Sequence, residues 1–373
     1  MPGEVSAAAD RPRDGRGRAR AWIDGPRALW AEAGIVTAIA LPLLLLLDAY
    51  VRDSPTPRND ELIYELMAQA PSDPHTFPFA HRVAVPTLVH LLPFGHGFSF
   101  SLLAWLSTAA IAGLAYVLMR RFEIAKPLAA ALAICLALSP TLLVASLREG
   151  RNVDPESVLV MFAGAIAIVD RRPVVFGAIV LVGCFVREAA LFLVPFAYAV
   201  WAERWWDPRA ARQTLLAAAP AAVAYATLRL SVPAVHSDKV LGYDSLLGGR
   251  LDVLDKAADQ PWRILRRLAT AFGPLWIAAP FALRDLRFAR RGLVLIAACC
   301  VSMLFALDWG RIVFLAAPVV VVAAAWVLDT RPRLALAAVV AFVAMDVGYA
   351  IYMEDFGGAD NLIDPAPTRY PIV

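Results

Sequence analysis

Several kinds of chemistry leave no signature in this chain. It has no glycine-rich phosphate loop, no nucleophile elbow and no HExxH pair. The four cysteines, Cys135, Cys184, Cys299 and Cys300, all fall inside apolar runs. Their spacing suits neither a metal site nor a disulfide framework, and they read as small core residues. Of the five histidines, His75, His81, His90, His96 and His236, none belongs to a recognised ligand pattern. No cofactor is expected, a divalent metal at His75 and His81 near Asp60 being the alternative. The formal net charge is only +3, which gives no reason to expect a nucleic-acid partner. A polar stretch long enough for a separate soluble domain is missing too.

What the chain has instead is apolar sequence. Hydrophobic residues make up 60% of its 373 positions, and mean hydropathy is +0.62, above the roughly 45–50% apolar content of soluble domains. Apolar runs recur near the ~20 residues that a helix needs to cross a bilayer. The expected fold is therefore all-α, a polytopic bundle in the cell membrane with the bilayer as its partner. Residues 1–32 are polar and Arg-rich (RPRDGRGRAR), without the short apolar core and cleavage site of a signal peptide. They are expected to be a disordered tail, held in the cytoplasm by the positive-inside rule.

Taken in order, the chain yields about eleven spans. They run over Ala33–Val51, Phe98–Met119, Pro127–Leu147, Ser157–Val169, two short helices within Val174–Glu203, Thr214–Leu230, Leu268–Leu283, Gly292–Leu307, Ile312–Leu328 and Leu334–Tyr352. The apolar stretch 83–93 is short and broken by proline, so it reads as interfacial or re-entrant. Outer loops fall at 52–97 and 231–267, and a tail at 354–373 lies outside. Arg and Lys dominate every turn that this order places in the cytoplasm: 120–126, 171–172, 204–212, 284–291 and 331–333. Dropping one span would move the later basic turns to the outside. The count thus favours splitting 174–203 at Arg187-Glu188, where two charges interrupt an apolar run.

The same order gathers charge on the outer face. The loop RNDELIYELMAQAPSDPHTFPFAHR brings Asp60, Glu61, Tyr64, His81 and Arg82, with Asn59 placed to cap a short surface helix. Later turns add Arg148, Glu149, Arg151, Asp154, Arg187, Glu188, Asp308 and Arg311. Charges at the apolar boundary are costly and need partners or a task. One reading is a set of ion pairs that tie helix ends together; the other is a shared polar cavity. In a cavity, arginines suit phosphate oxygens, and a carboxylate can take a proton from an incoming hydroxyl.

The segment Asp60-Glu61-Leu62-Ile63-Tyr64, directly after the first span and outside, resembles the motif of the GT-C glycosyltransferases, polytopic enzymes that use polyprenyl-phosphate sugars. The following PFAHRVAVPTLVHLLP, with Arg82 before Pro86 and Pro93, is similar to the Arg-and-Pro segment of bacterial members. The resemblance implies transfer of a sugar from a polyprenyl-phosphate donor to a glycan or lipid acceptor of the cell envelope, on the extracytoplasmic face. It implies Asp60 as base or acceptor-orienting group, with Glu61 as the neighbouring alternative. It makes Arg82, Arg148, Arg151, Arg187 and Arg311 donor-phosphate ligands, with Tyr64, His81, Asp154, Glu188 and Asp308 beside the substrates. Larger members carry a soluble C-terminal domain. Its lack here favours a glycolipid or cell-wall glycan acceptor over a bulky protein. The rival class is a transporter or flippase for an anionic lipid-linked substrate, which makes and breaks no bond.

Overall fold

The computed structural model describes residues 25–50, 60–71, 73–143, 146–147, 151–235, 252–259, 261–305 and 308–355. The 1–24 tail, Asn59, Arg148, Glu149, His236 and the 356–373 tail lie outside the described residues. The described chain is helical, apart from one parallel pair of two-residue strands, β1 (His75–Thr76) and β2 (Ala234–Val235).

Among the described residues, five helices are long and apolar enough to cross a membrane: 27–50, 96–120, 208–231, 287–305 and 332–351. Shorter apolar helices cover 126–137, 173–186, 188–201 and 317–329. Named in chain order, α1 is Pro26–Tyr50, α2 Asp60–Gln69, α3 Ala84–Leu91, α4 His96–Arg120, α5 Lys126–Ala137 and α6 Pro140–Leu143. Then come α7 Asp154–Val169, α8 Pro173–Val186, α9 Leu193–Trp201, α10 Pro208–Ser231, α11 Asp252–Asp259, α12 Pro261–Phe272 and α13 Leu275–Ala278. The last four are α14 Arg287–Ser302, α15 Trp309–Phe314, α16 Ala317–Asp329 and α17 Pro332–Asp355.

Proline sets many of these starts. Pro127, Pro155, Pro173, Pro208 and Pro318 each sit in the first helical positions, where the missing N–H has no intrahelical partner to lose. Asp207 then caps α10, accepting from the backbone N–H groups of Arg209 at 3.0 Å and Ala210 at 3.1 Å. The short α2 and α3 both fall between the first two long helices, so the stretch 83–93 is an eight-residue helix and too short to span.

The core forms around α16, whose residues Ala317–Ala325 are all buried. Helices α4, α5, α7 and α14 pack on it, as does the 3-10 turn Ala279–Leu283. Two glycines let helices close in. A Cβ on Gly113 would press on the Thr37 hydroxyl and the Ala33 carbonyl of α1, and one on Gly177 would strike the Ala217 carbonyl of α10. At one end of the bundle, basic side chains satisfy exposed helix ends: Arg291 donates to the Val200 carbonyl at 2.7 Å and Arg287 to that of Ala202 at 3.3 Å. There Glu32 also accepts from Tyr116 at 2.6 Å and Lys126 at 2.7 Å.

Cys135, Cys184 and Cys299 are buried core residues, whereas Cys300 is exposed. Trp30, Trp205 and Trp206 are exposed as well.

Candidate functional site

At the opposite end of the bundle from Glu32 and Lys126, α2 carries Asp60 and Tyr64 four residues apart, hence on one face. Glu61, one residue along and about 100° around the helix, is turned from that face and buried. Arg82 follows the 3-10 turn Phe79–His81 and reaches across to the α8–α9 junction. Its Nη1 donates to the Tyr64 hydroxyl at 2.9 Å. Nε and Nη2 grip both oxygens of Glu188, at 3.0 and 2.6 Å. The guanidinium also lies 5.1 Å from the centre of the Phe79 ring.

The apolar run 174–203 breaks at Arg187, whose backbone is extended (φ −161°, ψ 138°) between α8 and the 3-10 turn Glu188–Phe192. Extended backbone sends successive side chains to opposite sides. Glu188 therefore meets Arg82, while Arg187 donates to Asp154 at the start of α7. Asp154 Oδ2 accepts a second guanidinium, Arg311 of α15, at 2.9 Å. Arg311 also pairs with Asp308, and Asp308 Oδ1 lies 3.4 Å from Nη1 of Arg267 on α12. The result is a chain of alternating charge, Arg267–Asp308–Arg311–Asp154–Arg187, joined through one peptide bond to Glu188–Arg82–Tyr64.

Asp60 stands between these halves. It feels the positive charge of Arg311 and Arg82 and the negative charge of Asp154 and Asp308. Among the described residues, no hydrogen bond or ion pair reaches its carboxyl. Burial pushes that carboxyl up from the usual range, outweighing the downward pull of the two arginines. Burial likewise pushes the Tyr64 phenol up to about 12, so it stays neutral. Burial acts to lower Arg82, but Glu188 and Tyr64 hold it well above the ordinary value. For Asp308 burial acts upward, and the charges of Arg311 and Arg267 overcome it.

Beside the Arg187-Glu188 break lies a cavity of about 160 Å3 with a mostly apolar wall, formed by Phe192, Ala298, Val301, Phe305 and Leu315. The arrangement offers guanidinium groups for an anion, an unpaired carboxyl as base, and an adjoining apolar recess.

The structure thus brings together Asp60, Tyr64, Arg82, Asp154, Arg187, Glu188, Asp308 and Arg311. It sets His81 and Arg151 aside. The buried His81 ring lies 3.4 Å from Nη1 of Arg229, and Arg151 lies 3.3 Å from Glu65 with its guanidinium against Gly97. His75 and His90 meet the Ala70 and Ala68 carbonyls at 2.9 and 2.8 Å. Among the described residues, no group of three or more His, Cys, Asp or Glu could hold a metal ion.

Three participants escape sequence reasoning. Arg267 sits within α12 with no motif around it. Glu65 finds its partner 86 positions away. Arg229, near the end of α10, stacks 4.8 Å from the Phe77 ring. With the β1–β2 pair, Arg229 fastens the segment after α2 to the end of α10. The one advance signal is chemical type, an arginine at the edge of an apolar run. No protein-family model and no curated protein matches the chain.

Proposed function

We propose that this protein is a membrane glycosyltransferase of the GT-C type, moving a sugar from a polyprenyl-phosphate donor to a glycolipid or cell-envelope glycan on the extracytoplasmic face. The observation that carries the reading is Asp60: a half-buried carboxyl, without an ion pair among the described residues, set among arginines that do have acid partners. A purely structural acid in such surroundings would be paired. In the proposed reaction Asp60 takes the proton of the acceptor hydroxyl as its oxygen bonds to the sugar's anomeric carbon. The bond from that carbon to the phosphate oxygen breaks, and the lipid phosphate leaves with the electron pair. The bonds given above use one nitrogen each of Arg187 and Arg267, and a guanidinium has five N–H donors. These two are assigned to the leaving phosphate, with Arg311 adding charge. The apolar cavity suits the first carbons of the carrier lipid.

Eleven passes remain part of the proposal. Helices too short to span alone pair up in sequence, α5 with α6, and α15 with α16, and such a count keeps the basic turns on one side.

A carrier or flippase is the second reading. The break between α5 and α6 adds a second interruption to that between α8 and α9, and broken helices in two places suit transporters. One experiment separates the two. Purified protein in nanodiscs is incubated with labelled polyprenyl-phosphate sugars and lipid extract, wild type beside Asp60→Asn. New glycosidic product from wild type alone supports transfer. Donor binding and translocation by both, without product, replaces it with the carrier.

A further inference from the structure

The last helix, α17, is mostly exposed, and its buried positions make one stripe: Ala335, Phe342, Asp346 and Ala350. Three are apolar, as a helix packed in a membrane requires. Asp346 is not. Its side chain lies in the second half of a span, 6% exposed, and its Oδ1 has no hydrogen-bond partner among the described residues. An uncompensated carboxylate in hydrocarbon costs several kcal/mol (order of magnitude), so something must answer the charge.

The neighbours limit what that is. Helix α17 packs on α5, α6 and α16. The ionisable groups there are few. On α5, Cys135 is within electrostatic reach of Asp346, and Lys126, at the helix's far end, pairs with Glu32. Helix α6 (PTLL) has none. On α16, Asp329 sits at the final position and accepts from the Ala125 N–H at 2.8 Å. Met345 and Phe342 of α17 also reach Gly273 at the end of α12, whose Arg267 pairs with Asp308. Among the described residues, no cation is placed to neutralise Asp346.

Oxygen ligands, by contrast, are at hand. Helix α5 stops before Pro140, and the Ser139 N–H bonds the Leu136 carbonyl at 3.2 Å, three residues back in place of four. The Cys135 carbonyl is thereby left without the N–H that a continuous helix would supply. Ser139 itself is fully buried, and its hydroxyl oxygen also lacks a partner among the described residues. Ser139 lies at the junction of α5 and α6, two consecutive helices that α17 packs on, and Cys135, four residues earlier, is the α5 residue within electrostatic reach of Asp346. An unpaired acid, an unpartnered hydroxyl and a carbonyl freed by a helix break form a set of hard oxygen ligands. Hard cations take such ligands, and discontinuous membrane helices supply them to Na+ and H+.

We propose that Asp346, Ser139 and the Cys135 carbonyl form an intramembrane site where a proton and a small alkali cation compete. The exchange balances: the carboxylic acid releases its proton to water as Na+ binds the carboxylate, and the site stays neutral either way. The proposal concerns the α5–α17 contact and does not rest on the transfer reading.

The test uses the full chain in nanodiscs of neutral lipid and a hydrophobic carbodiimide, which partitions into the bilayer and modifies protonated carboxyls there. The modified peptide is located by mass spectrometry, while NaCl replaces choline chloride at constant ionic strength. Label is expected on Asp346 and absent from Asp346→Asn. Its rate should fall about tenfold when Na+ reaches about ten times its dissociation constant. Ser139→Ala should label at the wild-type rate in choline and require several-fold more Na+ for the same protection. Failure of Asp346 to label, or equal rates in Na+, Li+, K+ and choline, overturns the proposal. So does a Ser139→Ala protein protected as the wild type is. Locating the label in the wild-type chain keeps the test decisive even where Asp346→Asn does not fold.

Discussion

Replacing Arg82 by methionine tests whether the segment between α1 and α4 is held to the bundle by one side chain. The exchange keeps volume and removes the two contacts to Glu188 (3.0 and 2.6 Å) and the one to Tyr64 (2.9 Å). Removing one partner of a buried ion pair costs about 3–5 kcal/mol, because the other charge is left uncompensated. The Arg82 side chain is 8% exposed and that of Glu188 21%. Water can thus relieve part of the Glu188 penalty, which puts the expected loss at about 3 kcal/mol. Glu188→Leu alone strands Arg82 and should cost a similar amount. The double variant strands neither, so its loss should fall short of the sum of the two by about 2 kcal/mol. Unfolding in mixed detergent micelles, followed by helical circular dichroism, measures all four proteins. A coupling below about 0.5 kcal/mol would refute the reasoning and reduce the pair to a surface contact. Arg82→Lys should recover little, since an ammonium cannot hold both carboxylate oxygens in a planar fork.

Other expectations follow from the same contacts. Asp60 has its carboxyl raised by burial, so the stability it contributes is complete below the ordinary value of 3.8 and is lost as pH rises through the folded-state value. Asp60→Asn should therefore gain stability relative to wild type as pH increases, read from unfolding at several pH values. If the proposed transfer holds, its rate should rise with pH along a limb above the usual carboxylate range, because Asp60 must lose its proton to act as base. Arg267→Ala leaves Asp308 to Arg311 and should weaken donor binding about tenfold, or about 1.4 kcal/mol, in a direct binding assay. Gly177→Ala forces a methyl group onto the Ala217 carbonyl and should cost about 1–3 kcal/mol by overpacking, measured by the same unfolding assay.

Charge and hydropathy made the outline of this fold readable. The extended Arg187 between α8 and the turn Glu188–Phe192 lies where two charges interrupt an apolar run. The α-helical class and the grouping of Asp154, Arg187 and Arg311 follow from the same alternation of basic turns. The pairing within the group does not. Whether Arg187 meets Asp154 or Glu188 depends on one residue's extended backbone, and hydropathy carries no such information. The β1–β2 pair is two residues long, too short for any period-two pattern. Arg151 had the right charge and side, yet Glu65, on the α2 helix that also carries Asp60, takes it away from the cluster. Asp346 passed as one polar residue in a long span, since a single position does not disturb a window average.

The long reach of these contacts bears on how the protein is made. Asp154 waits 157 residues for Arg311, Arg82 waits 106 for Glu188, and β1 at His75–Thr76 pairs with a strand at Ala234–Val235. During synthesis the early helices are completed carrying acids and bases whose counterparts have not yet been made. Nascent chains stopped before residue 311 would hold Asp154 with half of its neutralising charge.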